Sequence, residues 1–200
     1  MLWCVACDAD PAKGKAKAAV TEPSPGIADR PIPGAKRFDF DEASSSIEFV
    51  GAKVTGRHAG KFDDFQGTIQ LVPADLTKSS ISVSIEAGSL TSDDAKLTKH
   101  LKSPDFFDVE RFPKARFTST SIAAGGADSA THTITGNLEL RGVTKQVTFP
   151  AHISAMAEVV EATAEFSINR KDFGVAYSGM AGDLIRDQVL LMIKVHATRN

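Results

Sequence analysis

Cysteine is nearly absent from this chain of 200 residues: only Cys4 and Cys7 occur, both close to the N-terminus. Everything after them folds without disulfides, whatever the redox compartment. The Cys-x-x-Cys spacing lacks a second pair or a nearby histidine to complete a zinc set, and a redox pair belongs at a strand-to-helix junction rather than at a chain end. Tyrosine and tryptophan are as scarce, one of each against twelve phenylalanines. Sugar and nucleobase sites favour aromatic rings with a polar edge, whereas phenylalanine suits a greasy interior. Neither sign of charge is in excess. A net charge of −2 and a pI near 6.2 give no electrostatic reason to expect nucleic acid. No run approaches the roughly 18 apolar residues needed to span a membrane as a helix.

Catalytic patterns are also missing. The five histidines, His58, His100, His132, His152 and His196, are scattered without ligand spacing, so no metal site is expected. There is no G-x-S-x-G elbow for a serine nucleophile and no phosphate-cradling glycine loop. The expectation is a non-enzymatic protein without a cofactor. His100 reads as an N–H partner for a neighbouring carbonyl rather than as a ligand contact.

What is present is a period of two. Ser80-Ile81-Ser82-Val83-Ser84-Ile85 alternates strictly, the pattern of a strand with one buried face. Ile134, Gly136, Leu138 and Leu140 share a face, as do Val147, Phe149, Ala151 and Ile153, then Ala162, Ala164, Phe166 and Ile168. Val189, Leu191, Ile193 and Val195 close the chain. With residues 38–40, 46–55, 62–72 and 115–120, this predicts eight or nine strands joined mostly by short turns, such as Arg141-Gly142-Val143-Thr144. No βαβ rhythm occurs, so the strands fit an antiparallel barrel or sandwich, and the expected fold of the two is a closed barrel.

One connection is unusual. Residues 97–117 carry four phenylalanines and two prolines where a linker should be small and polar. Leu97 and Leu101 lie one helical turn apart, and Ser103-Pro104 breaks the chain. A helix is predicted near Asp93–Leu101, capped by Thr91 or Ser92, with a plug or lid over one barrel end after it.

The N-terminal residues read differently. Residues 1–7 end in Cys4-Val5-Ala6-Cys7, which is similar to the end of a bacterial lipoprotein signal, with small Ala6 before the cysteine to be acylated. Almost no charged or apolar region precedes it, which fits a start internal to a longer signal. An ordinary secreted remnant and a chance match are the alternatives. Residues 8–37, rich in Pro, Ala, Lys and Gly, read as a flexible tether, and residues 38–200 as the folded domain.

The order of motifs resembles the YceI-like family, lipocalin-like bacterial barrels, periplasmic or secreted, that bind polyisoprenoid lipids. It is carried by Asp41–Phe49 (DEASSSIEF), Gly60–Gly67 (GKFDDFQG) and Ser89-Leu90-Thr91-Ser92. The motif His100–Asp108 (HLKSPDFFD), then Phe112-Pro113, Gly136-Asn137-Leu138, Leu140–Lys145, Asn169–Gly174 and Asp187-Gln188-Val189, continue the series. The resemblance implies an all-β, antiparallel lipocalin-like barrel of about eight strands with a short helical insert near residues 92–108. It also implies a lumen lined by Phe49, Phe65, Ile81, Val83, Ile85, Leu97, Leu101, Phe106, Phe107, Phe117, Leu138, Phe149, Phe166, Phe173, Leu191 and Ile193. From the strand pattern alone, the same side chains serve equally as a solid core.

Lys53, Arg170 and Asp172 are the head-group candidates, although Arg170 and Asp172 fit a polar lock at the rim better. Where the family often has histidines, this chain has Ser44 and Lys53, so its head-group preference is expected to differ. The implied function is non-catalytic binding, carriage or sequestration of a polyisoprenoid, an isoprenoid quinone or a fatty lipid. The implied location is the periplasm or cell envelope, as a lipoprotein anchored at Cys7, or the secreted space. The alternative is an interaction protein of a membrane-associated respiratory or stress-response assembly.

Overall fold

The computed structural model describes residues 10–25 and 31–199. The strands are β1 (Ala19–Thr21), β2 (Lys36–Asp41), β3 (Ser46–Lys53), β4 (Gly56–Phe62), β5 (Phe65–Leu71), β6 (Ser80–Glu86) and β7 (Leu90–Ser92). After helix α1 (Ala95–Lys102) come β8 (Lys114–Ala124), β9 (His132–Leu140), β10 (Val143–Ala155), β11 (Val159–Asn169), β12 (Gly179–Met180), β13 (Asp183–Leu184) and β14 (Gln188–Arg199). Eight of them close a ring in the order β10-β11-β14-β2-β5-β6-β8-β9 and back to β10. All these pairings are antiparallel, as the strand pattern predicts. The ring forks on one side. β14 pairs first with β3 and then with β2 along the same edge, and β3 carries β4 and β7 outward with it.

One end of the barrel gathers the β3–β4 turn, the β9–β10 turn, the β11–β14 connection and α1. The other end holds the β5–β6, β8–β9 and β10–β11 connections. At the β9–β10 turn, Arg141 and Gly142 both take positive φ, 53° and 72°. That is the geometry of a two-residue hairpin whose twist matches its strands.

The alternation of β6 does not translate directly into burial. Ser80 is fully buried at the strand's start and Ile85 at its end, yet Ile81 and Val83 between them are only half-buried. Phe117, Leu138, Leu191 and Ile193 also point inward and remain half-buried. Inward apolar side chains in a close-packed core would lose nearly all their exposure. These face a void.

The connection at residues 97–117 does cover one end. α1 starts at Asp94, not at Thr91 or Ser92: the Asp94 carboxylate accepts from the Leu97 N–H at 2.8 Å. Ser92 instead exchanges hydrogen bonds with Thr98. Leu97 and Leu101 face the barrel, and Ser103 closes the helix by donating from its N–H and hydroxyl to the His100 carbonyl. Tight turns follow, with buried Asp108 at φ 49°. Arg141 clamps this segment to the next, donating to the Pro104 carbonyl at 2.8 Å and the Gly174 carbonyl at 2.9 Å.

The N-terminal segment departs from expectation. Cys4 and Cys7 lie outside the described residues, but residues 10–25 run along the barrel wall rather than forming a flexible tether. The Ala18 N–H donates to the Ser167 carbonyl and the Ser167 N–H to the Ala16 carbonyl, at 2.9 and 2.8 Å. β1 then pairs with Gln146–Thr148 of β10. β10 and β11 pair with each other only over His152–Ala155 and Val160–Thr163. Residues 16–21 thus fill the seam where those two strands part. Composition hid this because the segment has no core of its own. It borrows one, setting Ala16, Ala18 and Val20 against the cluster around Phe149 and Phe166.

Candidate ligand-binding site

The void inside the barrel has a volume of about 700 Å³. That is within the range of pockets that enclose a small-molecule ligand. Its deep half is aromatic. Phe149 stacks on Phe166 with centroids 4.1 Å apart and an 11° interplanar angle, and Phe117 leans on Phe149 at 5.8 Å. Ile81, Val83, Leu138, Leu191 and Ile193 surround them. The mouth lies under α1. There Phe107 packs on Phe49 and Phe62, at 6.5 and 5.9 Å, while Phe106 packs on His100 and Tyr177, at 4.9 and 5.3 Å. The two adjacent phenylalanines of the plug therefore close over different partners.

The residues expected in the lumen are mostly brought together. Phe49, Ile81, Val83, Ile85, Leu97, Leu101, Phe106, Phe107, Phe117, Leu138, Phe149, Phe166, Leu191 and Ile193 all border the cavity. Phe65 and Phe173 do not. Phe65, 2% exposed, is packed solid in the core cluster at the start of β5, and Phe173, fully buried, sits in the 3-10 turn beneath the rim.

Polar groups border the cavity toward its mouth. Lys53 pairs with Asp183 at 2.5 Å, and the Thr55 N–H and hydroxyl also donate to Asp183. Lys53 holds the Asp183 carboxyl below its ordinary value; desolvation opposes this, and the two hydrogen bonds from Thr55 add to the lowering. Arg170, 5% exposed, donates to the carbonyls of Val175, Ile185 and Arg186. Burial pushes its pKa down, and Asp187 opposes this. The carboxylate partner of Arg170 is Asp187 at 3.3 Å, and Asp172 does not reach the cavity because the 3-10 turn at Arg170–Phe173 turns it away.

His100 does not serve a carbonyl: its Nε2 lies 2.9 Å from an Asp105 carboxylate oxygen, and its ring borders the cavity. His58 also borders it, with Nδ1 2.9 Å from Asp93. Burial raises the Asp93 carboxyl, but His58 and the Ala59 N–H outweigh that and leave it lowered.

Sequence reasoning missed Tyr177, Ile185, His58 and Asp183 as mouth residues. His58 stands near the start of β4, paired with Gly51, and the other three arrive from the irregular β11–β14 connection, which has no periodicity to read. A second concavity, about 1060 Å³, lies on the outer face and is lined by Arg37, Asp39, Glu42, Asp64 and strand hydroxyls. It is open and charged, and offers nothing to an apolar chain.

A closed antiparallel barrel with an apolar interior and a polar-rimmed, helix-covered mouth defines a lipocalin-like architecture. The chain belongs to the YceI-like domain family, whose model matches residues 38–197. It is 37% identical over 126 residues to a UPF0312 protein of Pseudomonas putida strain W619, covering 60% of this chain and 65% of that one. It is 36% identical over 122 residues to the protein YceI of Salmonella arizonae, covering 58% and 62%. The chain thus spans somewhat under two thirds of the length of these relatives. Among solved structures, Burkholderia cenocepacia BcnA superposes with a TM-score of 0.70 at 23% identity, over 80% of this chain and 99% of that one. A polyisoprenoid-binding domain from Saccharophagus degradans, implicated in plant cell wall breakdown, superposes with a TM-score of 0.64 at 14% identity, over 83% and 99%. At those identities the likeness concerns the fold.

Proposed function

We propose that this protein binds a polyisoprenoid or a similar long-chain amphiphile in its lumen and carries or sequesters it without chemistry. The observation that supports this most directly is the cavity of about 700 Å³ whose depth is lined by side chains of Phe, Ile, Leu and Val. Each methylene it removes from water is worth about 0.8 kcal/mol before ordering costs. Its polar partners stand at the mouth, where an amphiphile's head would rest. The family and the polyisoprenoid-binding neighbour agree with that reading. The reading also places the protein in the bacterial cell envelope, tethered through an acylated Cys7 that lies outside the described residues.

Solvent extraction of the purified protein followed by mass spectrometry is expected to yield a long-chain isoprenoid or lipid. Ala164→Phe, which adds a ring to the lumen wall, should fold and lose retention about tenfold or more. A lipid-free barrel that also ignores added isoprenoids overturns the proposal. Cys7→Ser should move the protein from the membrane to the soluble fraction, and unchanged fractionation counts against the anchor.

A further inference from the structure

Large apolar side chains are seldom left exposed together without a purpose. Among the described residues four are exposed: Val54 (61%), Met156 (53%), Met180 (74%) and Leu184 (54%). Met156 stands alone at the β10–β11 turn. The other three come from two hairpin tips that the fold ties into one lip. The Val54 N–H donates to the Leu184 carbonyl at 3.1 Å, Lys53 bridges to Ile185, and Thr55 is bonded to Asp183.

This lip is the edge of the cavity mouth, since Lys53, Met180 and Asp183 border the cavity from it. Its charges suit a particular neighbour. Three carboxylates beside the lip are already engaged: Asp183 by Lys53, Asp93 by His58, and Asp94 by the cap of α1. Arg57, Lys96 and Lys99 are exposed there without such a partner. Apolar tips flanked by unengaged cations match the boundary of an anionic lipid layer, where apolar groups enter the acyl region and basic ones meet head groups. The described chain also enters at this end, where Arg186 reaches Asp10 at 3.5 Å.

We infer that the lip formed by Val54, Met180 and Leu184 docks the mouth of the barrel onto an anionic membrane surface. A lipid can then pass between bilayer and lumen without crossing water. This inference rests on the lumen being a lipid site, but the docking itself is measurable without any ligand.

The test is flotation of the full chain carrying Cys7→Ser, which removes any acyl anchor, with vesicles of phosphatidylethanolamine and phosphatidylglycerol. Adding Val54→Ser and Leu184→Ser, neither of which borders the lumen, should reduce flotation about tenfold or more, the loss expected when even two methylene groups stay in water. Met156→Ser at the far end should float normally. Uptake of geranylgeraniol, added from ethanol without vesicles, should be equal in both lip and control variants. Failure of the parent to float, or equal flotation of the lip variant, overturns the docking. So does a lip-dependent dimer in sedimentation without flotation, since the patch then serves a second copy. Lip-dependent flotation with no geranylgeraniol uptake sustains the docking and overturns the lumen reading instead.

Discussion

The ring of Phe40 lies flat against the backbone of Gly67, its register partner across β2 and β5. A Cβ at Gly67 would sit 2.1 Å from the ring's Cζ. The same device recurs at Phe49 and Gly60, partners across β3 and β4, and diagonally at Phe117 and Gly136, where the hypothetical Cβ would lie 2.3 and 2.4 Å from the ring. A glycine opposite each aromatic lets the ring fold down over the neighbouring strand instead of filling the lumen. Gly67→Ala should therefore destabilise the barrel by about 1–3 kcal/mol, because the buried Phe40 cannot step aside. A lowered Tm checks it. An unchanged Tm would mean that the ring has room the structure does not show.

Arg141 joins the plug to the connection beyond β11. Arg141→Asn suits the positive φ of the turn and keeps the hairpin, but removes both donations to Pro104 and Gly174. Stability should fall by about 1–2 kcal/mol. Hydrogen exchange should rise at residues 103–108 and 170–175 and stay constant along β9 and β10.

Acid should loosen the lip. The Asp183 carboxyl is lowered from 3.8 first by Lys53, so the folded state holds this proton less tightly than the unfolded one. The contribution is complete above that ordinary value and is lost as pH falls through the lowered one. Exchange at the Thr55 amide, bonded to Asp183, should accelerate below about pH 4, allowing for intrinsic rates. Asp183→Asn should remove the pH dependence.

Deleting residues 10–25 should leave a barrel closed through His152–Ala155 but open the seam above it. The amides of β10 from Gln146 to Thr148 should then exchange faster, with a stability loss of about 2–4 kcal/mol for the lost ladder bonds. An unaltered exchange pattern there would sink the idea that the segment seals the wall.

The barrel was legible because its strands announce themselves by alternation, and Ile81-Ser82-Val83 reads correctly without any partner in view. The lumen's occupancy was not legible. Whether Val83 and Leu191 meet side chains or a void depends on ring closure and on glycines opposite phenylalanines, which no single strand reveals. Phe65 and Phe173 show the limit from the other side: they carry the right chemistry, but each is packed solid away from the lumen. Likewise Arg170 pairs with Asp187 rather than Asp172 because residues 170–173 form a 3-10 turn, which strand alternation does not announce.

The inserted stave between β10 and β11 has a mechanical consequence. It lies outside the part of the chain that the family model matches, so the shared barrel has been given an added wall segment. A pull on the N-terminus would load first the arm from Asp10 to Ala16, then the bonds to Ser167, then the β1 rungs, peeling them one at a time. Such a zipper yields at low force. Tension on that arm would open a slit beside Phe149 and Phe166, making load on the N-terminal segment and access to the interior one coupled variable.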